Sequence, residues 1–210
     1  MQTLILLMAG TGSRVGLDIN KMMYKVNNKR LYQIVLDKFL KYDLDIILVT
    51  NQTDYETVVD ETCGKACVIV GGATRRESVA NALKLVRTDR VIIHDAARVL
   101  VSDDIIEACI NNNYDAYYVY NLVKDTIRTL DNITLDRQKL LLVQTPQGGN
   151  TEIFKRYNSL CTTDDISSLE GTNIKIDKIL GNDYNFKITT KFDLELACHI
   201  IRGEFNDSNR

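Results

Sequence analysis

The feature that most constrains this fold is an alternation of short apolar runs with segments of helical period. Each run is closed by glycine or polar turn residues before the helical segment begins. That rhythm predicts an α/β chain with a largely parallel sheet, because parallel neighbours need a crossover helix between them. The clearest predicted strands are Leu4 to Met8, Ile46 to Thr50, Ala66 to Val70 and Val91 to His94. Two helical faces stand out as core, Ser78-Val79-Ala82-Leu83-Val86 and Phe192-Leu194-Leu196-Ala197-Ile200.

With 210 residues, 45% of them hydrophobic and 26% charged, the chain fits one domain, residues 1–210, with a sizeable core. A formal charge of −2 gives no net attraction to nucleic acid or acidic membranes, so small-molecule partners are expected. The tyrosines at 114, 117, 118 and 120 read as strand packing rather than a base-stacking platform. Five scattered cysteines, odd in number and without metal-type spacing, read as reduced thiols. The run Leu4 to Met8 is too short for a secretion signal, and no stretch approaches a membrane span, so a cytoplasmic location is expected.

Residues 125–143 break the rhythm. Strand-like residues flank the turn-forming pair Asp131-Asn132 and return through Leu140-Leu141-Leu142-Val143, which predicts a protruding β-arm. Its leucines would be left in water without a partner, so a homodimer is expected.

Directly after the first strand comes Ala9-Gly10-Thr11-Gly12-Ser13-Arg14-Val15-Gly16, followed by Lys21. Small residues at a strand's carboxyl end let backbone N–H groups approach phosphate. A dinucleotide fingerprint would need glycine where Val15 stands, and a Walker A loop would need Gly-Lys-Ser/Thr, which is absent. Arg14 and Lys21 would instead put two positive charges where a triphosphate loses pyrophosphate, the demand of nucleotidyl transfer. A glycine-rich turn carrying two solvated basic residues remains the plain alternative on this loop alone.

Further strings follow in order: Gly71-Gly72-Ala73-Thr74-Arg75-Arg76-Glu77-Ser78-Val79, His94-Asp95-Ala96-Ala97-Arg98, Asp125-Thr126-Ile127 and Gln144-Thr145-Pro146-Gln147. Thr163-Asp164-Asp165 and Asn185-Phe186-Lys187-Ile188-Thr189-Thr190 complete the set. With these in register, the chain resembles the 2-C-methyl-D-erythritol 4-phosphate cytidylyltransferases from residue 3 to about residue 202. The resemblance implies a three-layer α/β/α nucleotidyltransferase fold with a mixed, mostly parallel sheet and a dimerising β-arm. It also implies CTP as substrate with Mg2+ or another divalent cation as cofactor, and a place in non-mevalonate isoprenoid precursor synthesis.

Matched residue by residue, the resemblance implies that Arg14 and Lys21 stabilise the five-coordinate α-phosphorus. Ala9, Gly10, Thr11 and Gly12 match contacts to the CTP phosphates and ribose, and Gly72, Ala73 and Ser78 match the pocket that reads cytosine. Asp95 matches a position near the metal or the acceptor hydroxyls, with Arg98 one turn away to offset it. Arg137 and Lys187 match cations for the acceptor phosphate, and Thr126 and Thr145 match hydroxyls contacting the polyol phosphate. Thr126 and Arg137 flank the arm, so the pocket is expected to be completed across the dimer. No dedicated protein metal site is expected, the ion riding mainly on the CTP phosphates. His94 reads as structural because a phosphomonoester oxygen is already anionic and needs no base. Thr163-Asp164-Asp165 reads as a capped helix start outside the site.

The sequence departs from the family at Asn20, where proline is usual, which predicts a less preorganised loop. Val99, Gly149 and Phe186 are further departures, and the arm is short. A ribitol 5-phosphate cytidylyltransferase is the nearest alternative. Leu135-Asp136-Arg137 and Ala97 favour the methylerythritol enzymes. A catalytically silent nucleotide-binding paralogue is the alternative of another class, opposed by the retained Arg14, Lys21, Asp95, Arg137 and Lys187. A glycosyltransferase or hexose pyrophosphorylase would need an acceptor region for which there is no room.

Overall fold

A computed structural model describes residues 1–10, 19–161 and 163–204. The main sheet contains β1 (Gln2–Leu7), β4 (Leu44–Thr50), β5 (Cys67–Val70), β6 (Arg90–Asp95), β7 (Ala116–Leu122), β8 (Leu141–Asn150) and β9 (Ile176–Leu180). Their spatial order is β5-β4-β1-β6-β8-β7-β9. Only β8 runs against its neighbours; β1, β4, β5 and β6 are mutually parallel, and β9 is parallel to β7. A small ribbon, β2 (Lys25–Val26) with β3 (Lys29–Arg30), stands apart. The four strands read from the sequence all exist, each within two residues at its ends.

Two apolar layers follow from the two-residue period of the strands. Leu4, Leu6, Ile46, Leu48 and Ile92 face one way, against α1 (Leu31–Phe39), α4 (Asp103–Ile110) and α6 (Lys191–Arg202). Ile5, Leu7, Ile47, Val49, Val91 and Ile93 face the other, against α3 (Arg75–Leu83) and α5 (Thr151–Tyr157). One further helix, α2 (Tyr55–Thr62), adds Val58 to the first layer. Helices thus cover both faces of a mostly parallel sheet, the three-layer α/β/α arrangement.

One expectation needs correction, and the arm takes a definite form. Phe192 was assigned to the core face of α6 but is 71% exposed; it is the second residue of that helix, and Leu194, Ala197 and Cys198 carry the buried face. The arm does form a turn at Asp131-Asn132, with Asn132 at φ 63°, and Leu135 N–H donates to the Ile127 carbonyl at 2.9 Å. Leu141 to Val143 at its base continue the β7–β8 ladder, paired with Leu122 to Tyr120; beyond that pairing the described residues of the arm add only the isolated bridge between Arg128 and Thr134 and a 3-10 helix, Arg137–Lys139. The arm is a short hairpin loop, because two strands without a covering layer are marginal in water.

Gly149, in place of an aromatic residue, has a packing cause. It lies at φ 148° between β6 and β7, and a Cβ there would meet the Asp115 carbonyl oxygen at 2.2 Å. Val99 and Phe186 join the first apolar layer, Val99 fully buried and Phe186 packed on its margin. Gly149→Ala is therefore expected to cost about 2–4 kcal/mol, through backbone strain and a clash with rigid backbone. Gly171→Ala, with φ 74° but open space around it, should cost about 1–2 kcal/mol. Urea unfolding of both variants separates the two contributions, and equal losses would refute the clash.

Candidate active site

Consecutive parallel strands leave β1 in opposite directions, with β4 on one side and β6 on the other. The crevice at the carboxyl ends of β1 and β6 is thus the switch point at which open α/β sheets bind ligands. A cavity of about 390 Å³ opens there. It is lined by Leu7 to Gly10 after β1, by Asn20 to Met22, by Gly72 to Arg75 with Ser78, by Asp95 and Ala97 at the end of β6, and by Lys187.

The turn before α3 is built by side chains. Thr74 caps the helix, its hydroxyl accepting the Glu77 N–H at 3.1 Å, while Glu77 accepts the Ala73 N–H at 2.8 Å. Ser78 is not the N-cap; it sits in the first turn, where its hydroxyl accepts the Gly72 N–H at 3.1 Å and donates to the Thr74 carbonyl at 2.9 Å. Glycine at 72 is required because a Cβ would lie 2.3 Å from that of Glu77.

Asp95 is the electrostatic centre. Its Oδ1 accepts from Arg75 Nε at 3.0 Å, its Oδ2 from Lys187 Nζ at 2.7 Å, and its N–H donates to the Thr145 hydroxyl at 3.0 Å. Burial pushes this carboxyl up, but the Arg75, Lys187 and Arg98 charges outweigh it and hold the group well below the usual carboxylate range. Lys187 reaches Asp95 because the Ile188 N–H donates to the Ala97 carbonyl at 2.9 Å and Ile188 is fully buried. Arg75 is fixed from behind by a bidentate pair with Asp165, at 2.8 and 2.7 Å.

That pair was missed in the sequence. Arg75 stands in its motif without a signal of its own, and Thr163-Asp164-Asp165 reads as a helix start. Instead, Asp165 is buried against Arg75, its N–H donating to Gln147 Oε1 at 2.9 Å. Asp164 meanwhile accepts the Ser167 N–H at 2.8 Å, at a 3-10 helix. Two adjacent acids after a cysteine and two threonines look the same whether they cap a helix or bury a guanidinium.

Other assigned residues stand behind the cavity or away from it. Arg98 does not ion-pair with Asp95; its guanidinium donates to the Asn185 carbonyl at 2.7 Å. Thr145 is buried, and its hydroxyl is engaged by the Asp95 N–H and by His94 Nδ1 at 3.1 Å, so it orients the strand end. Thr126 and Arg137 are exposed on the arm, where Arg137 donates to the Lys124 carbonyl. Neither lines this cavity within one chain. Thr11, Gly12 and Arg14 lie outside the described residues.

Most of the loop expected to be less preorganised lies outside the described residues, but Asn20 at its end is held firmly. It is buried at φ −57° and ψ 121°, the φ that a proline ring would impose. Its amide donates to the Met8 carbonyl at 3.0 Å and to Asp54 Oδ2 at 2.8 Å, while Oδ1 accepts the Met22 N–H at 3.1 Å and caps the 3-10 helix Lys21–Met23. Hydrogen bonds supply the order that a ring would otherwise give.

His94 is structural by geometry. It is fully buried, and burial lowers its pKa to about 3, so the ring is neutral. Nε2 faces the Arg98 carbonyl at 3.4 Å and must carry the proton; Nδ1 then accepts from the Thr145 hydroxyl.

A profile of the 2-C-methyl-D-erythritol 4-phosphate cytidylyltransferase family (IspD) matches residues 2–203. The chain belongs to this family. The Clostridium tetani 2-C-methyl-D-erythritol 4-phosphate cytidylyltransferase is 36% identical over 97% of this chain and 91% of that protein. The crystal structure of the Francisella tularensis member is 32% identical with a TM-score of 0.77, covering 93% of this chain and 97% of that one. The bifunctional IspDF of Campylobacter jejuni superposes with a TM-score of 0.83 at 29% identity, over 92% of this chain, which spans only 53% of that longer protein. Membership makes the protein a cytidylyltransferase, and the cavity at the switch point is its candidate active site.

The neutral His94 sets a pH dependence of stability. The unfolded imidazole takes up a proton below pH 6.5, whereas the folded one resists protonation down to about 3. Acid therefore favours the unfolded chain, and stability is lost as pH falls through 6.5, by up to about 1.4 kcal/mol per pH unit. Urea unfolding between roughly pH 7 and 5 should show this slope, and His94→Gln should flatten it; an unchanged slope in the variant would assign the proton uptake elsewhere.

Proposed function

We propose that the enzyme transfers CMP from CTP to 2-C-methyl-D-erythritol 4-phosphate, releasing pyrophosphate and giving 4-diphosphocytidyl-2-C-methyl-D-erythritol for isoprenoid precursor synthesis. The observation that carries this reading is the single cavity that gathers the residues after β1, the Gly72-Ala73 turn and the Asp95–Lys187 pair in a chain of this family. An oxygen of the acceptor phosphate attacks the α-phosphorus in line, the new P–O bond forming as the bond to pyrophosphate breaks. That oxygen is anionic at neutral pH, so no base is needed, which agrees with the fully engaged ring of His94.

Lys21, on the cavity wall, and Arg14 carry positive charge to the phosphorus and the leaving group, where negative charge grows in the transition state. Lys187 holds the acceptor phosphate, and Asp95 fixes Lys187 and receives acceptor hydroxyls. Arg137 and Thr126 reach the acceptor from the arm of a second copy. Exposed Leu130, Ile133 and Leu135 on that arm support a homodimer, since apolar side chains in water favour a partner. Five unpaired cysteines accord with a reducing cytoplasm.

The residues fit Mg2+ as an ion carried by the nucleotide. Among the described residues no cluster of three or more acidic, histidine or cysteine side chains exists, and both oxygens of Asp95 already accept from cations. Mg2+ is commonly held by substrate phosphates, with one or two carboxylates and water completing its shell. When bound it would neutralise phosphate charge, and Asp95, which lines this cavity, is the carboxylate that could join its shell.

Pyrophosphate release from CTP and Mg2+ is expected with 2-C-methyl-D-erythritol 4-phosphate, and not without an acceptor. Preference for ribitol 5-phosphate would overturn the acceptor, and silence with both would overturn the activity. Lys21→Ala should lower kcat by about a hundredfold while CTP binding changes far less; near-wild-type turnover would remove the charge-stabilising role.

A further inference from the structure

We infer that Asn20 and Asp54 are positioning residues that set Lys21, linking its placement to the turn after β4 and the N-terminus of α2. Every polar atom of the Asn20 side chain is engaged: one amide hydrogen on the Met8 carbonyl, the other on Asp54 Oδ2, and the carbonyl oxygen on the Met22 N–H. These bonds converge on the residue immediately before Lys21 and on the 3-10 helix that Lys21 begins. The Met8 N–H in turn donates to the Val49 carbonyl at 2.8 Å, so the clamp is anchored to both β1 and β4.

Asp54 is itself locked. Its N–H donates to Asn51 Oδ1 and its Oδ2 accepts from Asn51 Nδ2, both at 2.8 Å. Asp54 is the N-cap residue of α2 yet makes no side-chain cap bond to that helix. The carboxylate therefore points its acceptor at Asn51 and Asn20 rather than at the helix it precedes. Both contacts fall on one oxygen, so the geometry asks for an acceptor there and not for a negative charge. A small displacement of a group meant to meet a transition state is costly, because the charge must already be in place when the phosphorus rearranges.

This inference rests on the role proposed for Lys21, and a double-mutant cycle separates the two. Turnover and CTP KM are measured for Asp54→Ala, Asp54→Asn, Lys21→Ala and the Lys21→Ala/Asp54→Ala pair, with thermal unfolding of each. Asp54→Ala should lower kcat about tenfold with CTP KM changing little, whereas Asp54→Asn, which keeps an acceptor oxygen, should stay near wild type. In the Lys21→Ala background the Asp54→Ala change should have no further effect on kcat. An equal loss in both backgrounds, or equal losses for the alanine and asparagine variants, would overturn the inference. Full activity in Lys21→Ala would instead overturn the reading of Lys21 itself.

Discussion

The structure depends most on how one buried carboxylate is balanced. Asp95 ends β6 at the bottom of the cavity, and an unpaired charge there would cost several kcal/mol. Arg75 and Lys187 balance it, and Asp165 in turn balances Arg75. Two negative and two positive groups thus come from four separate places: the end of β6, the first residue of α3, the loop after α5 and the segment before α6. Removing one partner leaves another buried charge exposed to the low dielectric, so the four segments hold one another in register. Arg98 stands just behind, turned to the Asn185 carbonyl, and adds field without occupying either carboxylate oxygen.

The sheet was legible in the sequence because its signals are local, whereas the pairings of these four charges were not. Strand-length apolar runs followed by helical segments pointed to the sheet; the glycine-rich stretch after the first strand and Asp95 at a strand end were readable as residues, while Gly72 and Ala73 came from the family resemblance, and Ala9, Gly10, Gly72, Ala73 and Asp95 all line the cavity. What escaped is what depends on pairing over distance. Arg75 and Asp165 are ninety positions apart, and nothing in either string says that one buries the other. Thr145 and Arg98 kept their places near the site, but their polar atoms are turned to His94 and Asn185 by packing that no motif encodes. Gly149 reads in the sequence as a lost aromatic residue, whereas in the fold the Asp115 carbonyl occupies the space of its Cβ.

Asn20 shows the same limit from the other side. Counted by residue type, asparagine for proline subtracts rigidity, because proline fixes φ through a covalent ring. Three hydrogen bonds restore that φ in the fold, and they do so only because Met8 and Asp54 are brought alongside by β1 and by the turn after β4. Rigidity has moved from the residue to its surroundings. The consequence is that placement of Lys21 is shared with a second element of the fold, whereas a ring would have kept it local.

The turn before α3 carries the argument on to base choice. Cytosine and uracil differ at C4, where one offers an amino donor and the other a carbonyl acceptor. In this chain the N–H groups of Gly72 and Ala73 are consumed by Ser78 and Glu77. If, as the resemblance implies, this turn faces the base, the backbone there would be reduced to acceptors, which would suit an amino group and leave a uracil carbonyl facing oxygen. An unmatched polar contact generally discriminates more strongly than an added methylene. Ser78 and Glu77 take both donors out of the turn, and the close approach of Gly72 to Glu77 leaves no room for a Cβ at that position.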